Sequence, residues 1–320
     1  MSQFGHDTTA EEIVDTYAAQ VKGRTFLVTG PSANSIGAYA ATSLARKAPK
    51  HIVLVGRTRA KVDPVIQQIA AIDPAVQTTY VHCELSDLDS VRAAARQIIE
   101  DARIPPIDVF INNAGVMALK EYTTDKAGNE MQLSCNHIGH FLLTNLLLRA
   151  KAADHPRIVN VSSLGHRISP VRLDDPNWAR DGGKSYDKWT AYGQSKTANI
   201  LFSAGLNKRL ASRGGHAYGV HPGSIWETDL GRHLDNFNAD EIDEVTLRNT
   251  GEHFVLDERK STSQGAASLL YAGLAPELEQ QPLVYINDCH PQETHAYASD
   301  EEAADKLWAW TEERVGEKFF

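Results

Sequence analysis

The chain of 320 residues predicts an α/β fold, a doubly wound parallel sheet of about seven strands with helices on both faces. Short apolar, β-prone runs alternate with longer helical stretches, which is the pattern of repeated βαβ units. Right-handed crossovers then place helices on both faces. Residues able to do chemistry also fall where strands end, at Gly30, Gly56, Asn113, Ser163 and Pro222. Sheets of this kind bind ligands beyond the carboxyl ends of their strands.

In order along the chain, residues 1–8 read as a loose tail. Thr9-Ala10-Glu11-Glu12 has the form of a capping box, so a short helix is expected over 10–20 within an N-terminal extension of residues 1–22. Thr25–Thr29 is an apolar strand stopping at Gly30, followed by the turn-prone run Pro31–Gly37 and a helix over 36–47. Strand, small-residue turn and helix together aim backbone N–H groups and a helix N-terminus at a phosphate. Strands follow at 51–55, 78–82 and 108–111, with helices over 59–72 and 87–102 between them. A long helix is expected over 124–150, then a strand from Arg157 ending at Ser162 and Ser163. A helix over 191–213, a strand at 216–220, a helix near 263–272 and a last strand near 283–286 complete the pattern. No linker, repeat or low-complexity tract interrupts it, so one domain over 1–320 is expected.

Composition narrows the class. With 32 basic against 41 acidic residues the net charge is −9, which argues against nucleic acid as a partner. Three cysteines without metal-like spacing fit a reduced interior, the N-terminus has no apolar run of a signal peptide, and no stretch is long enough to span a membrane. A cytoplasmic protein is the expectation. His137-x-x-His140 lacks the Glu of a zinc helix, and no metal site is expected. Cys289, His290 and His295 read as structural, and Trp178, Tyr186 and Trp189 as loop packing.

Tyr192 and Lys196 lie four apart at the start of a long helix and so share one face. A phenol beside an ammonium, near a hydroxyl from a strand end, is equipped for proton transfer. The spacing alone is weak, because chance supplies about 0.4 such pairs in a chain of this kind. A second pair, Tyr122/Lys126, follows no strand and reads as that chance match. After the second strand, Gly56-Arg57-Thr58-Arg59 offers cations where an NAD site carries an acid. Cations at a helix N-terminus are unfavourable unless an anion offsets them, so Arg57 points to the 2′-phosphate of NADP(H), with NAD(H) second.

Taken together and in order, these motifs resemble the short-chain dehydrogenases/reductases, over about Val21 to Phe320. The resemblance rests on Thr29-Gly30…Ile36-Gly37, Asn112-Asn113-Ala114-Gly115, Asn136 in Asn-His-Ile-Gly-His-Phe-Leu-Leu, Ser163, Tyr192/Lys196 and His221-Pro222-Gly223. The Asn136 run, the Ala-Tyr-Gly-Gln-Ser-Lys segment and Leu307-Trp308 look most like the retinol-dehydrogenase and WW-domain-oxidoreductase-like branch, its fungal members in particular.

That resemblance implies a Rossmann-type fold and hydride exchange between a nicotinamide and a carbonyl or alcohol. It makes Tyr192 the general acid/base, which for a phenol of pKa near 10 needs about 4 kcal/mol of phenolate stabilisation at pH 7. Lys196 would supply much of it and hold the nicotinamide ribose. Ser163 rather than Ser162 would bond the substrate oxygen, and Asn136 would hold a relay water. Gly30, Ser32, Ile36 and Gly37 would line the phosphates, Arg57 and Glu84 the adenosine end, Asn113 its ribose, and Ile225 and Thr228 the carboxamide.

The pattern departs from the family in three places. Asn34 and Ser35 stand where a third glycine is usual, 28 residues separate Ser163 from Tyr192, and Trp226-Glu227 lengthen the step to Thr228. Loops over 164–190 and 224–260 would face a lipophilic or aromatic small molecule, with 226–256 as a mobile lid. A homodimer through helices 124–150 and 191–213 is consistent with the family. Two other readings stand beside this one, a cofactor-binding sensor without turnover and a methyltransferase of similar topology.

Overall fold

The computed structural model describes residues 4–231, 234, 237–281 and 284–320. Its centre is one eight-stranded sheet of order β3-β2-β1-β4-β5-β6-β7-β8, parallel except for the last pair. The strands are β1 (Thr25–Thr29), β2 (His51–Gly56), β3 (Gln77–His82), β4 (Ile107–Asn112), β5 (Ala152–Val161), β6 (His216–Val220), β7 (Tyr285–Asn287) and β8 (His290–Gln292). All five residues of β1 are buried, as a strand covered on both faces requires. β1 pairs with β2 on one side and β4 on the other, so the strand order reverses beside its carboxyl end. Ligands bind at such a switch point.

Helices α1 (Ala10–Thr16) and α2 (Ala18–Val21) form the N-terminal extension, α1 starting with the expected Thr9/Glu12 capping box. The preceding residues are not loose from Phe4 onward: its ring packs on Tyr17 and Tyr271. Residues 1–3 lie outside the described residues. Then come α3 (Ile36–Ala45), α4 (Arg59–Ile72) and α5 (Leu88–Glu100).

The long helix expected over 124–150 begins later. Thr124 pairs with Glu130 in an antiparallel bridge, and Asp125 accepts the Ala127 and Asn129 amides in a turn closed by Gly128 at φ +79°. Helix starts only at α6 (Met131–Leu133), passes through a π-helical turn at Ser134–Ile138, and continues as α7 (Gly139–Ala150). The remaining helices are α8 (Lys188–Leu210), α9 (Ala239–Thr250), α10 (Thr262–Leu274), α11 (Ala296–Ser299) and α12 (Glu301–Val315).

Two apolar layers sandwich the sheet. One joins it to α1, α3, α4 and α10, around Phe26, Leu44, Ile69 and Leu270. The other joins it to α5, α7, α8 and α12, around Phe110, Phe141, Phe202 and Trp308. Trp308 of α12 meets the Phe141 ring at 4.8 Å and lies against Gly205, where a Cβ would come within 2.9 Å. The aromatic stripe of α7 and α8, the pair expected to build a dimer, is therefore covered by α12 of the same chain.

An eighth strand appears because Asp288 and Cys289, at φ +51° and +57°, fold β8 back on β7. Leu283, where the last strand was expected to start, lies outside the described residues. So does part of the 226–256 stretch. No helix among the described residues is long and apolar enough to cross a membrane.

Candidate functional site

The turn after β1 is built by backbone economy. Gly30 has φ +65°, and a Cβ there would sit 2.8 Å from the Ala114 backbone. At Gly37 a Cβ would meet the Asn113 side chain at 2.5 Å. Asn34, in the region where a third glycine is usual, adopts φ +65°, a conformation Asn tolerates better than most residues. Ser35 caps α3 by accepting from the Ala38 amide at 3.0 Å, and its hydroxyl donates to the Gly30 carbonyl. The Asn113 carboxamide donates to the Thr29 and Gly30 carbonyls, so this candidate ribose contact is engaged in bracing the turn. The two glycines let this turn close directly against Ala114 and Asn113, and the N-terminus of the ten-residue α3 that follows suits a dinucleotide pyrophosphate.

At the end of β2, Arg57 and Arg59 each meet a carboxylate, Glu84 and Asp63. Arg57 reaches Glu84 at 3.1 Å, the arginine exposed and the carboxylate partly covered. Such a pair is worth about 0–1 kcal/mol, so a phosphate can replace the carboxylate as partner at little cost. Exposed Lys61 sits one backbone bond from the glycine turn, its carbonyl accepting from Ala33 at 2.9 Å. Tyr80 fixes the strand end by donating to the Gly56 carbonyl. Arg57 and Glu84, both expected at the adenosine end, are thus adjacent.

The proton-transfer candidates meet at the ends of β5 and α8. Tyr192 and Lys196 share a face of α8, with the ammonium 5.6 Å from the phenol ring centre. Both are buried. Ser163 accepts from the Gly165 amide at 3.0 Å, and a Cβ added at Gly165 would meet both the Tyr192 ring at 2.6 Å and the Ser163 hydroxyl at 3.4 Å, so the two side chains flank one glycine. Ser162 instead donates to the Lys196 carbonyl and has no part in this contact. Lys196 donates to the Val161 carbonyl at 3.0 Å, which aims the ammonium along the strand end.

Burial pushes the Tyr192 phenol up to about 12, against a pull downward from Ser163. Burial also draws Lys196 down to about 8, leaving it mostly charged at neutral pH. A protonated phenol beside a charged amine suits proton donation to a developing alkoxide.

Asn136 lies in the π turn. Its carboxamide accepts from the Val116 amide at 2.8 Å and donates to the Val116 carbonyl and to Ser195. A Cβ added at Gly115 would touch both its oxygen and the Lys196 nitrogen, so Asn136 and Lys196 flank one glycine.

The sequence shows His140 in a pair unsuited to a metal and as part of the Asn136 run, and the structure gives it a place in this network. Thr29 Oγ1 already accepts from the Asn113 and Ala114 amides, so its hydroxyl proton points to His140 Nε2, 2.8 Å away. The ring proton is then on Nδ1 and donates to the Asn136 carbonyl at 3.1 Å. One buried imidazole thus ties the cofactor turn to Asn136. The sequence signal for that tie was a histidine in an otherwise apolar helix. The second pair behaves as a chance match: Tyr122 donates to the Asn177 carbonyl and Lys126 pairs with Asp87.

Over Tyr192 lies an apolar cage of Ala118, Ile168, Trp189, Ile242 and Val245, with Met117, Leu234, Phe237 and Phe254 against it. Trp189 therefore belongs to this cage. Trp178 and Tyr186 pack on each other within the 164–190 loop, as read from sequence. Ile225 packs its side chain toward Gly265 of α10, and Thr228 follows on a partly exposed stretch. Among the described residues no group of three or more His, Cys, Asp or Glu is placed to hold a metal.

Comparison with known proteins agrees with this geometry. The short chain dehydrogenase family profile matches residues 24–171. Human retinol dehydrogenase 13 is 36% identical over 299 residues, covering 93% of this chain and 86% of that protein. A solved protein from Mycobacterium paratuberculosis, described as putative and uncharacterized, superposes with a TM-score of 0.68 at 30% identity, over 95% of this chain and 98% of the other. A short chain dehydrogenase from Burkholderia cenocepacia, solved in complex with NADP, shares the fold at 23% identity, with a TM-score of 0.60 over 82% of this chain and 94% of that one. The chain belongs to the short-chain dehydrogenase/reductase family and is an oxidoreductase of its retinol-dehydrogenase-like branch.

Proposed function

We propose that this protein is an NADP(H)-dependent enzyme interconverting a carbonyl and a primary or secondary alcohol, with Tyr192 as general acid/base. What supports the reading is the gathering of Ser163, Tyr192 and Lys196 at the ends of β5 and α8 beside an apolar cage, with Tyr192 and Lys196 buried and Ser163 partly exposed. When bound, a nicotinamide dinucleotide supplies or accepts the hydride. Gly30, Ser32, Ile36 and Gly37 border its phosphates, and Asn113 holds their turn in shape. Arg57 would hold the 2′-phosphate, and Glu84 would stand on the adenine side. Ile225 and Thr228 stand at the nicotinamide end.

Ser163 donates a hydrogen bond to the substrate oxygen, and Tyr192 delivers or removes its proton. Lys196 favours the phenolate by its charge, while Asn136 keeps the π turn against Val116 and Ser195 and orders water beside Lys196. The cage of Ile168, Trp189, Ile242 and Val245 offers few polar partners, so the substrate is a lipophilic or aromatic small molecule. The human relative's name, a retinol dehydrogenase, is consistent with that class. One domain carries both halves of the site, with the 164–190 and 224–260 loops on the substrate side.

The test is NADPH oxidation by the purified protein across a panel of aromatic and long-chain aldehydes and ketones, beside fluorescence titration with NADPH and NADH. The reading expects turnover of some apolar carbonyls and tighter binding of NADPH. Tighter NADH binding overturns the role of Arg57. Cofactor binding with no turnover across the panel favours the sensor reading instead.

A further inference from the structure

His221, the last residue before the Pro222-Gly223 turn, is buried and sits outside the set described so far. Its Nδ1 accepts from the Leu164 amide at 3.0 Å and, more weakly, from the Gly223 amide at 3.4 Å. A ring nitrogen facing two N–H donors carries no proton of its own, so the proton is on Nε2. That nitrogen lies 3.0 Å from Asp257 Oδ2 and donates to it.

Leu164 is the neighbour of Ser163, whose carbonyl is gripped from the other side by the His166 ring and backbone N–H. Asp257 is itself held near the turn. Lys260 bonds the Ser224 carbonyl through its amide at 2.9 Å, and its buried ammonium pairs with Asp288. Gly223, at φ +94°, leaves room for the Lys260 stem, where any Cβ would come within 2.4 Å.

We propose that His221, kept in one tautomer by Asp257, is a positioning residue that sets the conformation of Ser163 through the Leu164 amide. The inference rests on Ser163 meeting the substrate oxygen. If the acceptor at Nδ1 is lost, the Leu164 amide is released and the Ser163 hydroxyl shifts from its place beside Tyr192. Displacements of this size cost rate more than affinity, because they misalign a group that acts on the reacting oxygen.

Two substitutions separate the ring's two ends. In His221→Asn the side-chain oxygen replaces Nδ1 as acceptor but cannot reach Asp257. In His221→Gln the amide reaches Asp257 but leaves the Leu164 amide without its acceptor. With NADPH and a carbonyl substrate, His221→Gln is expected to lower kcat at least tenfold while KM and NADPH affinity stay within about threefold. His221→Asn is expected to recover most of that loss.

Asp257→Ala, at a partly exposed position, tests the tautomer directly. The ¹⁵N NMR signals of the His221 ring are expected to leave the Nε2–H pattern, and kcat to fall about threefold or more. Wild-type kcat in His221→Gln, or equal losses in the two His221 variants, overturns the proposal. Unchanged ring signals in Asp257→Ala overturn it too, and decide the matter if the His221 variants fail to fold. Those signals need no substrate, so a failure of the carbonyl-reductase reading remains distinguishable from a failure of this one.

Discussion

The two ends of the site are built by different means. At the cofactor end, Gly30 and Gly37 remove side chains, and Asn113, Ser35 and Thr29 spend their polar groups on backbone. In the proposed reading, recognition there would rest on main-chain N–H groups and a helix start, which suit any dinucleotide. At the substrate end, Tyr192 stands in a cage assembled from α8, α9 and two loops, and each surface is a side chain. The first end admits little variation because backbone geometry defines it. The second is open to change residue by residue, which is how one fold serves many substrates.

The sharpest break of that contrast is Tyr192→Phe, which deletes one hydroxyl and leaves both ends otherwise intact. Turnover should fall by about 10²- to 10⁴-fold, with NADPH affinity kept, as read by steady-state kinetics and fluorescence titration. Retained wild-type turnover would move the chemistry away from α8. The pH profile comes next. Because burial lowers Lys196 to about 8 and raises Tyr192 to about 12, reduction needs both groups in the form they hold at neutral pH. Its kcat should be flat near pH 7 and fall by up to about tenfold per unit once pH passes about 8, as Lys196 loses its charge. A flat profile to pH 10 would show that the ammonium is not required.

Arg57→Ala tests the cofactor end at a side chain rather than at backbone. NADPH should bind about tenfold more weakly and NADH unchanged, since only the 2′-phosphate loses a partner. An equal loss for both cofactors would place Arg57 elsewhere than at that phosphate. The smallest effect is expected from Ile242→Ala, which trims the cage without touching a polar group. KM for an apolar carbonyl should rise about three- to tenfold with little change in kcat, by loss of buried contact with the substrate. A matching fall in kcat would show that α9 also sets substrate orientation.

This division also explains what could be read in the chain itself. The central strands β1 and β2 were legible because burial on both faces demands continuous apolar runs, and the helix at 59–72 begins and ends where its pattern does. Tyr192, Lys196 and Ser163 were legible as a set because one helix face and one strand end bring them together. The 124–130 segment misled because Asp125 and Gly128 make a turn inside a stretch otherwise compatible with helix. The π turn left no trace in composition, since it is a change of hydrogen-bond register rather than of residue type. The roles of His140 and His221, residues present in the motifs, were hidden for a related reason. Their partners are distant in sequence, Thr29 in one case and Leu164 and Asp257 in the other. The hairpin of β7 and β8 turns on Asp288 and Cys289 in positive-φ conformations, which Cys rarely signals.

Helix α12 has a consequence of its own. A segment tethered to the groove it fills meets that groove at an effective concentration on the order of millimolar. A second copy of the chain must diffuse to it and compete at whatever concentration the solution holds. The stripe of Phe141 and Phe202 under Trp308 is therefore held internally, with Arg209 stacked on the indole at 3.8 Å to close it. A second copy reaching for the Phe141 and Phe202 stripe itself would first have to displace Trp308 and the rest of α12.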